Sequence, residues 1–272
     1  MKAWSLPLML LAMAAQPAAA ELVPIAFAPP VGRDLAYRID QHRTVDGQQS
    51  RFSATRSLRF ERAEGTGGGY VLHAALRTID SDAPSAATES YRAALTPLIG
   101  VEMGFRVDAT GKIVGLDDMD RVWASVDQGL ARMMKGFAPG SSQYRAASAV
   151  QALFAGLSPE GRLALLAGEY QPLFLFAGGE VEDEAAGRGV RTVAGSPLGR
   201  PVKVEGVLRL EAREGGRFRL EENLAGDGVQ VRVRYGLSTQ TGMVEDQTRD
   251  LTLGGGTLTE TRALRETDAA VR

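Results

Sequence analysis

The sequence predicts an α+β protein: a large curled antiparallel sheet, an open half-barrel of about 11 strands, covered by a central block of about three helices. Three observations predict it. Apolar residues alternate with polar ones over 21–116 and again over 169–265, the side-chain period of a β-strand. Between these, over 117–168, apolar residues recur every three or four positions, the period of a helix. Only one face of each strand segment is apolar, which fits antiparallel strands with one wet side. At 44% hydrophobic and 24% charged, the composition is that of a folded chain and excludes disorder.

Residues 1–20 read as a targeting segment. Lys2 gives a small positive start, Leu6 to Ala15 is mostly apolar, and Ala18-Ala19-Ala20 fits the small-x-small cleavage rule. The apolar run is short of the roughly 20 residues that span a bilayer. No Cys stands at the cleavage point to take a lipid anchor. The expectation is a secretory signal peptide cleaved after Ala20, with the remainder in the periplasm and not lipid-anchored. That remainder is read as one domain over 21–265, with no transmembrane segment, and a flexible tail over 266–272.

The elements follow in order. Leu35, Tyr37 and Ile39 start the alternation, Asp46-Gly47 signals a turn, and Phe52, Ala54, Leu58 and Phe60 alternate on the return. Gly65 to Gly69 breaks that strand, and Tyr70, Leu72, Ala74 and Leu76 line the next. Pro84 and Pro97 bound a segment with room for a short helix. Val101 to Val107 and Lys112 to Leu116 form a hairpin, and Asp108-Ala109-Thr110-Gly111 suits a type I turn followed by a left-handed glycine.

Met119, Val122, Trp123, Val126, Leu130, Met133 and Met134 then make one helical stripe, with Asp117 or Asp118 to cap its start and Gly136 to end it. A second helix spans Ser142 to Leu157, directing Val150, Leu153, Phe154 and Leu157 inward. Ser158-Pro159 starts a third, a capping hydroxyl before a first-turn proline, and it ends near Gly168. The run Glu180, Glu182, Asp183, Glu184 reads as a solvated loop. Strands return at Val202, Val204, Leu208 and Leu210, then Phe218, Leu220 and Leu224, then Val229, Val231, Val233, Tyr235 and Leu237. Thr239 to Gly242 and Gly254 to Gly256 supply the last turns, and the final strand ends near Arg265.

Chemistry is mostly excluded. With no Cys there are no disulfides, thiolate metal sites or cysteine nucleophiles. A formal charge of −2 gives no basic excess for nucleic acid. The only histidines, His42 and His73, lie on two early strands and would bind a metal together only if those strands were neighbours. Neither Gly-x-Ser-x-Gly nor a phosphate-loop ending occurs. Asp117, Asp118 and Asp120 suit a helix start better than a calcium loop. No residue set has catalytic, cofactor-binding or metal-binding spacing, so the reading leans away from an enzyme.

The soft stripe remains. Met119, Trp123, Val126, Leu130 and Met133, with Phe105 and Phe154 beside them, are the expected lining of an apolar cavity under a helical lid. The expected function is a non-enzymatic binder or carrier of an apolar or amphipathic, lipid-like ligand in the cell envelope. The alternatives are an envelope interaction protein that recruits a partner protein along its sheet edges, and a hydrolase with clustered carboxylates.

The order of strands, helices and strands over Leu35 to Arg265 resembles the periplasmic lipoprotein-carrier (LolA/LolB-like) half-barrel family in element content and export. Gly32-Arg33-Asp34-Leu35-Ala36-Tyr37 is similar to the opening of other exported β-rich bacterial proteins. The first resemblance implies an open half-barrel roofed by helices over an apolar cavity. The helix order here departs from that family's, so the resemblance assigns no site residue.

Overall fold

Strands form where the alternation is cleanest. A computed structural model describes residues 21–45, 48–64, 68–83, 85–183, 186–194, 202–253 and 256–267. The expected signal peptide, the Asp46-Gly47 turn, Gly65 to Gly67, Gly254-Gly255 and the tail beyond 267 lie outside the described residues. The first half carries β1 (Glu21–Pro24), β2 (Asp34–Val45), β3 (Gln48–Arg62), β4 (Gly69–Ser81), α1 (Ser85–Leu95), β5 (Met103–Asp108) and β6 (Ile113–Leu116). The helices α2 (Met119–Lys135), α3 (Ser142–Ala155) and α4 (Pro159–Ala167) follow. After them come β7 (Glu180–Asp183), β8 (Arg188–Ala194), β9 (Val202–Glu214), β10 (Arg217–Gly226), β11 (Val229–Ser238), β12 (Val244–Leu253) and β13 (Gly256–Glu266).

Eleven of these strands make one antiparallel, unclosed sheet in the order β6-β5-β4-β3-β2-β13-β12-β11-β10-β9-β8. The predicted α+β class and curled antiparallel sheet are therefore present. Two meanders grow outward in opposite directions from the central pair β2·β13, whose ladder runs from Thr257↔Thr44 to Glu266↔Leu35. The chain leaves one edge at β6 and returns at the other edge, β8. Helices α2, α3 and α4 lie on that connection, and α1 lies between β4 and β5.

Local chemistry sets the helix ends. Ser158, the expected cap, accepts a hydrogen bond from the Gly161 amide (3.2 Å), and Ser141 accepts one from that of Tyr144 (3.1 Å). Asp118 holds the cap position of α2 but differs from expectation. Its backbone is left-handed (φ 49°) and its carboxylate caps nothing, facing Arg121 at 3.5 Å instead. The segment after Pro84 does form a helix, α1.

For Glu180, Glu182 and Asp183 the acidic run is corrected from loop to strand, and Glu184 lies outside the described residues. Glu180–Asp183 pairs antiparallel with Glu21–Pro24, with Val23 opposite Val181. Val181 turns inward and is buried while the acids flank it. The count of charges hid a two-residue alternation.

Two apolar clusters share the concave face. One joins the inner sides of β2 to β5 to α2, α3 and α4; Phe60, Leu72, Phe105, Val122 and Leu130 lie at its centre. The other joins β9 to β12 with Ile25, Phe176 and Val181. The segment after β1 staples them together: Ile25 enters the second cluster and Phe27 the first. Its backbone is held by Ile25 N to Gly179 O (2.8 Å), Gly178 N to Ile25 O (2.8 Å) and Ala28 N to Thr241 O (3.0 Å). Gly242 (φ 68°) makes room for it, since a Cβ there would lie 2.2 Å from the Ala26 carbonyl oxygen.

Two outcomes follow for stability in urea. Trp123 is 4% exposed, with Phe154 at 5.2 Å and the Arg162 guanidinium 5.0 Å over its ring. Trp123→Ala should therefore lower unfolding free energy by about 3–5 kcal/mol. Gly242→Ala should cost more than about 1 kcal/mol, because both the positive φ and the Ala26 carbonyl oppose the added methyl group.

Candidate functional site

The seven residues expected to line a cavity are brought together, but as packing. Phe105, Trp123, Val126, Leu130 and Phe154 are buried, and Met119 and Met133 are partly buried against the same cluster. Phe105 also meets the ring of Tyr170 at 5.2 Å. Two open pockets among the described residues touch this set, both through Met133 alone. The first, of about 630 Å³, lies between α1, Phe137, Gln143 and the end of β4. The second lies between α2 and the turn at Thr96–Leu98.

A different part of the concave face is open. The helices cover one flank of the sheet, and the β1·β7 ribbon packs on the other. Between them the Gln171–Phe174 turn reaches β12 and leaves the rest of that strand partly covered. Every residue of β12 from Glu245 to Leu251 is half-buried, on both faces, although the strand lies deep within the sheet. The inward side of β12 carries Gln247, Arg249, Leu251 and Leu253. That of β13 carries Leu264, Arg262, Glu260 and Leu258. Register places Gln247 opposite Arg262, Arg249 opposite Glu260 and Leu251 opposite Leu258. The floor of this trough thus changes from polar to apolar in one cross-strand step, and ends at Leu253, which is 53% exposed.

Beside the polar end lies a buried network. Arg262 Nε donates to Glu260 (2.7 Å), and Gln41 Nε2 donates to the other oxygen of that carboxylate (2.6 Å). Arg262 Nη1 donates to the Tyr37 hydroxyl and to the Glu169 carbonyl, both at 3.1 Å. Arg56, inward on β3 and 4% exposed, reaches the Glu169 carboxylate through Nη2 at 3.2 Å. Glu169 follows α4, so two sheet arginines hold the end of the helical block. Satisfaction is incomplete: Arg56 Nη1 and Gln247 Oε1 are buried without a hydrogen-bond partner.

Electrostatics fix the charge states. Burial pushes the Glu260 carboxyl up, but Arg262 and the hydrogen bonds from Arg262 and Gln41 hold it below the ordinary carboxylate range. Burial also works against the charge of Arg262, yet Tyr37 and Glu260 beside it raise its pKa on balance. Burial pushes the Tyr170 hydroxyl up to about 12 and raises that of Tyr37, so both stay neutral at physiological pH. The pKa values of Glu260, Tyr37 and Tyr170 are thus each held away from neutral pH.

Other candidates are not assembled. β3 lies between β2 and β4, so His42 and His73 are not strand neighbours, and His73 pairs with Glu61 at 3.3 Å. Asp117 pairs with Arg106 at 3.3 Å. Among the described residues no three His, Asp or Glu side chains gather as a metal would need. Sequence reasoning missed Glu260, Arg262 and Arg249. The signal was present: Leu258, Glu260, Arg262 and Leu264 share one parity, so the apolar face of that strand carries two charges.

The network sets an acid dependence. A carboxyl whose folded pKa is depressed stabilises the fold above its unfolded pKa of about 4.3 and loses that contribution as pH falls through the folded value. Glu260→Gln should therefore be less stable than the parent at neutral pH. The gap should narrow below about pH 4, read as denaturant midpoints at several pH values. In sequence, no family model and no curated protein matches this chain.

Proposed function

We propose that this is an exported, periplasmic carrier or binder of an amphipathic, lipid-like molecule, acting by burial and not by catalysis. The observation that carries the reading is the trough on β12 and β13, where polar Gln247, Arg249 and Glu260 give way to Leu251 and Leu258 beneath a partial roof. Such a floor matches a ligand with one polar end and one apolar end. A buried chain of about ten methylenes would contribute about 8 kcal/mol before the cost of ordering it, the free energy of a micromolar complex.

The buried charges support the same reading. Leucine at the positions of Arg56, Glu260 and Arg262 would stabilise the sheet as well or better, because desolvating ion pairs is expensive. The fold keeps them beside the trough with a donor of Arg56 unmet. The open half-barrel with a helical cover is also what the resemblance to periplasmic lipoprotein carriers implies. Contact of Arg56 and Arg262 with Glu169 couples the position of the helical block to the polar end of the trough.

Protein purified from a periplasmic extract should release an amphipath into organic solvent, identified by mass spectrometry. Native spectra should show the bound form. Leu251→Asn should reduce occupancy at least about tenfold while leaving the sheet folded, since an apolar contact with the chain becomes an amide that hydrocarbon cannot satisfy. A protein that arrives empty and takes up no long-chain amphipath in titration ends the carrier reading.

A further inference from the structure

Arg249 stands out on electrostatic grounds. It is half-buried on the inward side of a central strand; among the described residues no hydrogen bond or contact ion pair holds it, although its charge is felt by Glu260, opposite it on β13. Its neighbours are already committed. Across β13, both oxygens of Glu260 are taken, by Arg262 and Gln41. Across β11, Val233 stands opposite Arg249, and beyond it Glu222 accepts the Tyr235 hydroxyl at 3.0 Å.

The vacancy is not a shortage of acids. On the convex face, acids stand at ion-pair distance from Arg217 (Glu245, 2.6 Å), Arg234 (Asp250, 3.4 Å) and Arg232 (Glu221, 3.8 Å). The chain as a whole carries a formal charge of −2. Glu260 divides its charge between Arg262, which it touches, and Arg249, which it does not, so the planar donors of Arg249 stay available to carboxylate or phosphate oxygens. Gln247 lies one inward position away, on the polar side. In the opposite direction the floor becomes Leu251 and then exposed Leu253, about 13 Å from Arg249 along the strand.

We infer that Arg249 binds the headgroup of the trough's ligand, and that this ligand is a single-chain amphipath with an anionic oxygen head, a carboxylate or a phosphate. The inference rests on the carrier reading and adds the class of ligand. The guanidinium takes the anionic oxygens, and the chain runs outward over Leu251 and Leu258.

The test is calorimetric titration of the exported full chain with dodecyl amphipaths below their micelle concentrations: dodecanoate, dodecyl phosphate, neutral dodecyl maltoside and dodecyltrimethylammonium. Dodecanoate or dodecyl phosphate should bind at least about tenfold more tightly than the neutral and cationic compounds. Arg249→Gln should abolish that preference, Arg249→Lys should keep part of it, and Arg232→Gln on the convex face should leave it intact. Equal affinity for all four heads in the parent protein overturns the headgroup inference and leaves the carrier reading standing, a result that needs no variant to fold. Absence of binding by every dodecyl compound removes both. Inorganic phosphate binding as tightly as dodecyl phosphate overturns the amphipath assignment in favour of a small-anion site.

Discussion

The architecture depends on the pairing of β2 with β13. This ladder joins residues more than 200 positions apart in sequence, from Thr44↔Thr257 to Leu35↔Glu266. Without it there are two separate meanders, each with an unpaired inner edge. With it there is one sheet, and the outer edges β6 and β8 become its two ends. The chain between those ends has to cross a face of the sheet, and α2, α3 and α4 are that crossing. Loop closure over such a separation is entropically slow, so the seam is expected to form after the local hairpins.

The seam also explains where the charges sit. Each meander brings its own cover: helices for β2 to β5, and the β1·β7 ribbon with Phe176 for β9 to β12. The covers approach the middle from opposite sides and leave β12 half-open. Apolar floor under an incomplete roof would be exposed to water, so the deepest middle positions carry Arg262, Glu260 and Gln247. Their hydrogen bonds then tie the two halves together across the seam, from Gln41 and Tyr37 on β2 to the end of the helical block at Glu169. The Ile25–Phe27 staple makes the same connection by apolar packing at the other end of the sheet.

Much of this fold was legible in the residues. The alternation from Val229 to Leu237, the stripe from Met119 to Leu130 and the Ser158 cap each depend on neighbours a few positions away, and each appears as read. Strand order was not legible, because register between Leu35 and Leu264 is decided by contacts no local window contains. The site fared worse. The residues singled out for softness, Trp123 and Met133 among them, were found by a pattern that cores and cavities share. Arg249 and Glu260 look like solvated positions until the strand order puts them on the inner face, and the acids of β7 mask the inward Val181 in the same way.

What distinguishes the trough from an ordinary polar surface is the direction in which its chemistry changes. On the convex face, acids and arginines alternate between neighbouring strands and neutralise one another at ion-pair distances. Charge is balanced there residue by residue, and exposed pairs of that kind contribute about 0–1 kcal/mol each. On the concave face the polarity varies along the strands, from the buried network at Arg262 through Arg249, which no acid touches, to Leu251 and Leu253 at the rim. A gradient of that kind adds nothing to strand pairing, and it leaves one cation without a contact ion pair and one amide oxygen unmet. Strand alternation alone would have filled those positions with Val or Leu. On the proposed carrier reading, their presence on the half-buried strand β12 and beside it matches a partner that carries charge at one end and hydrocarbon at the other.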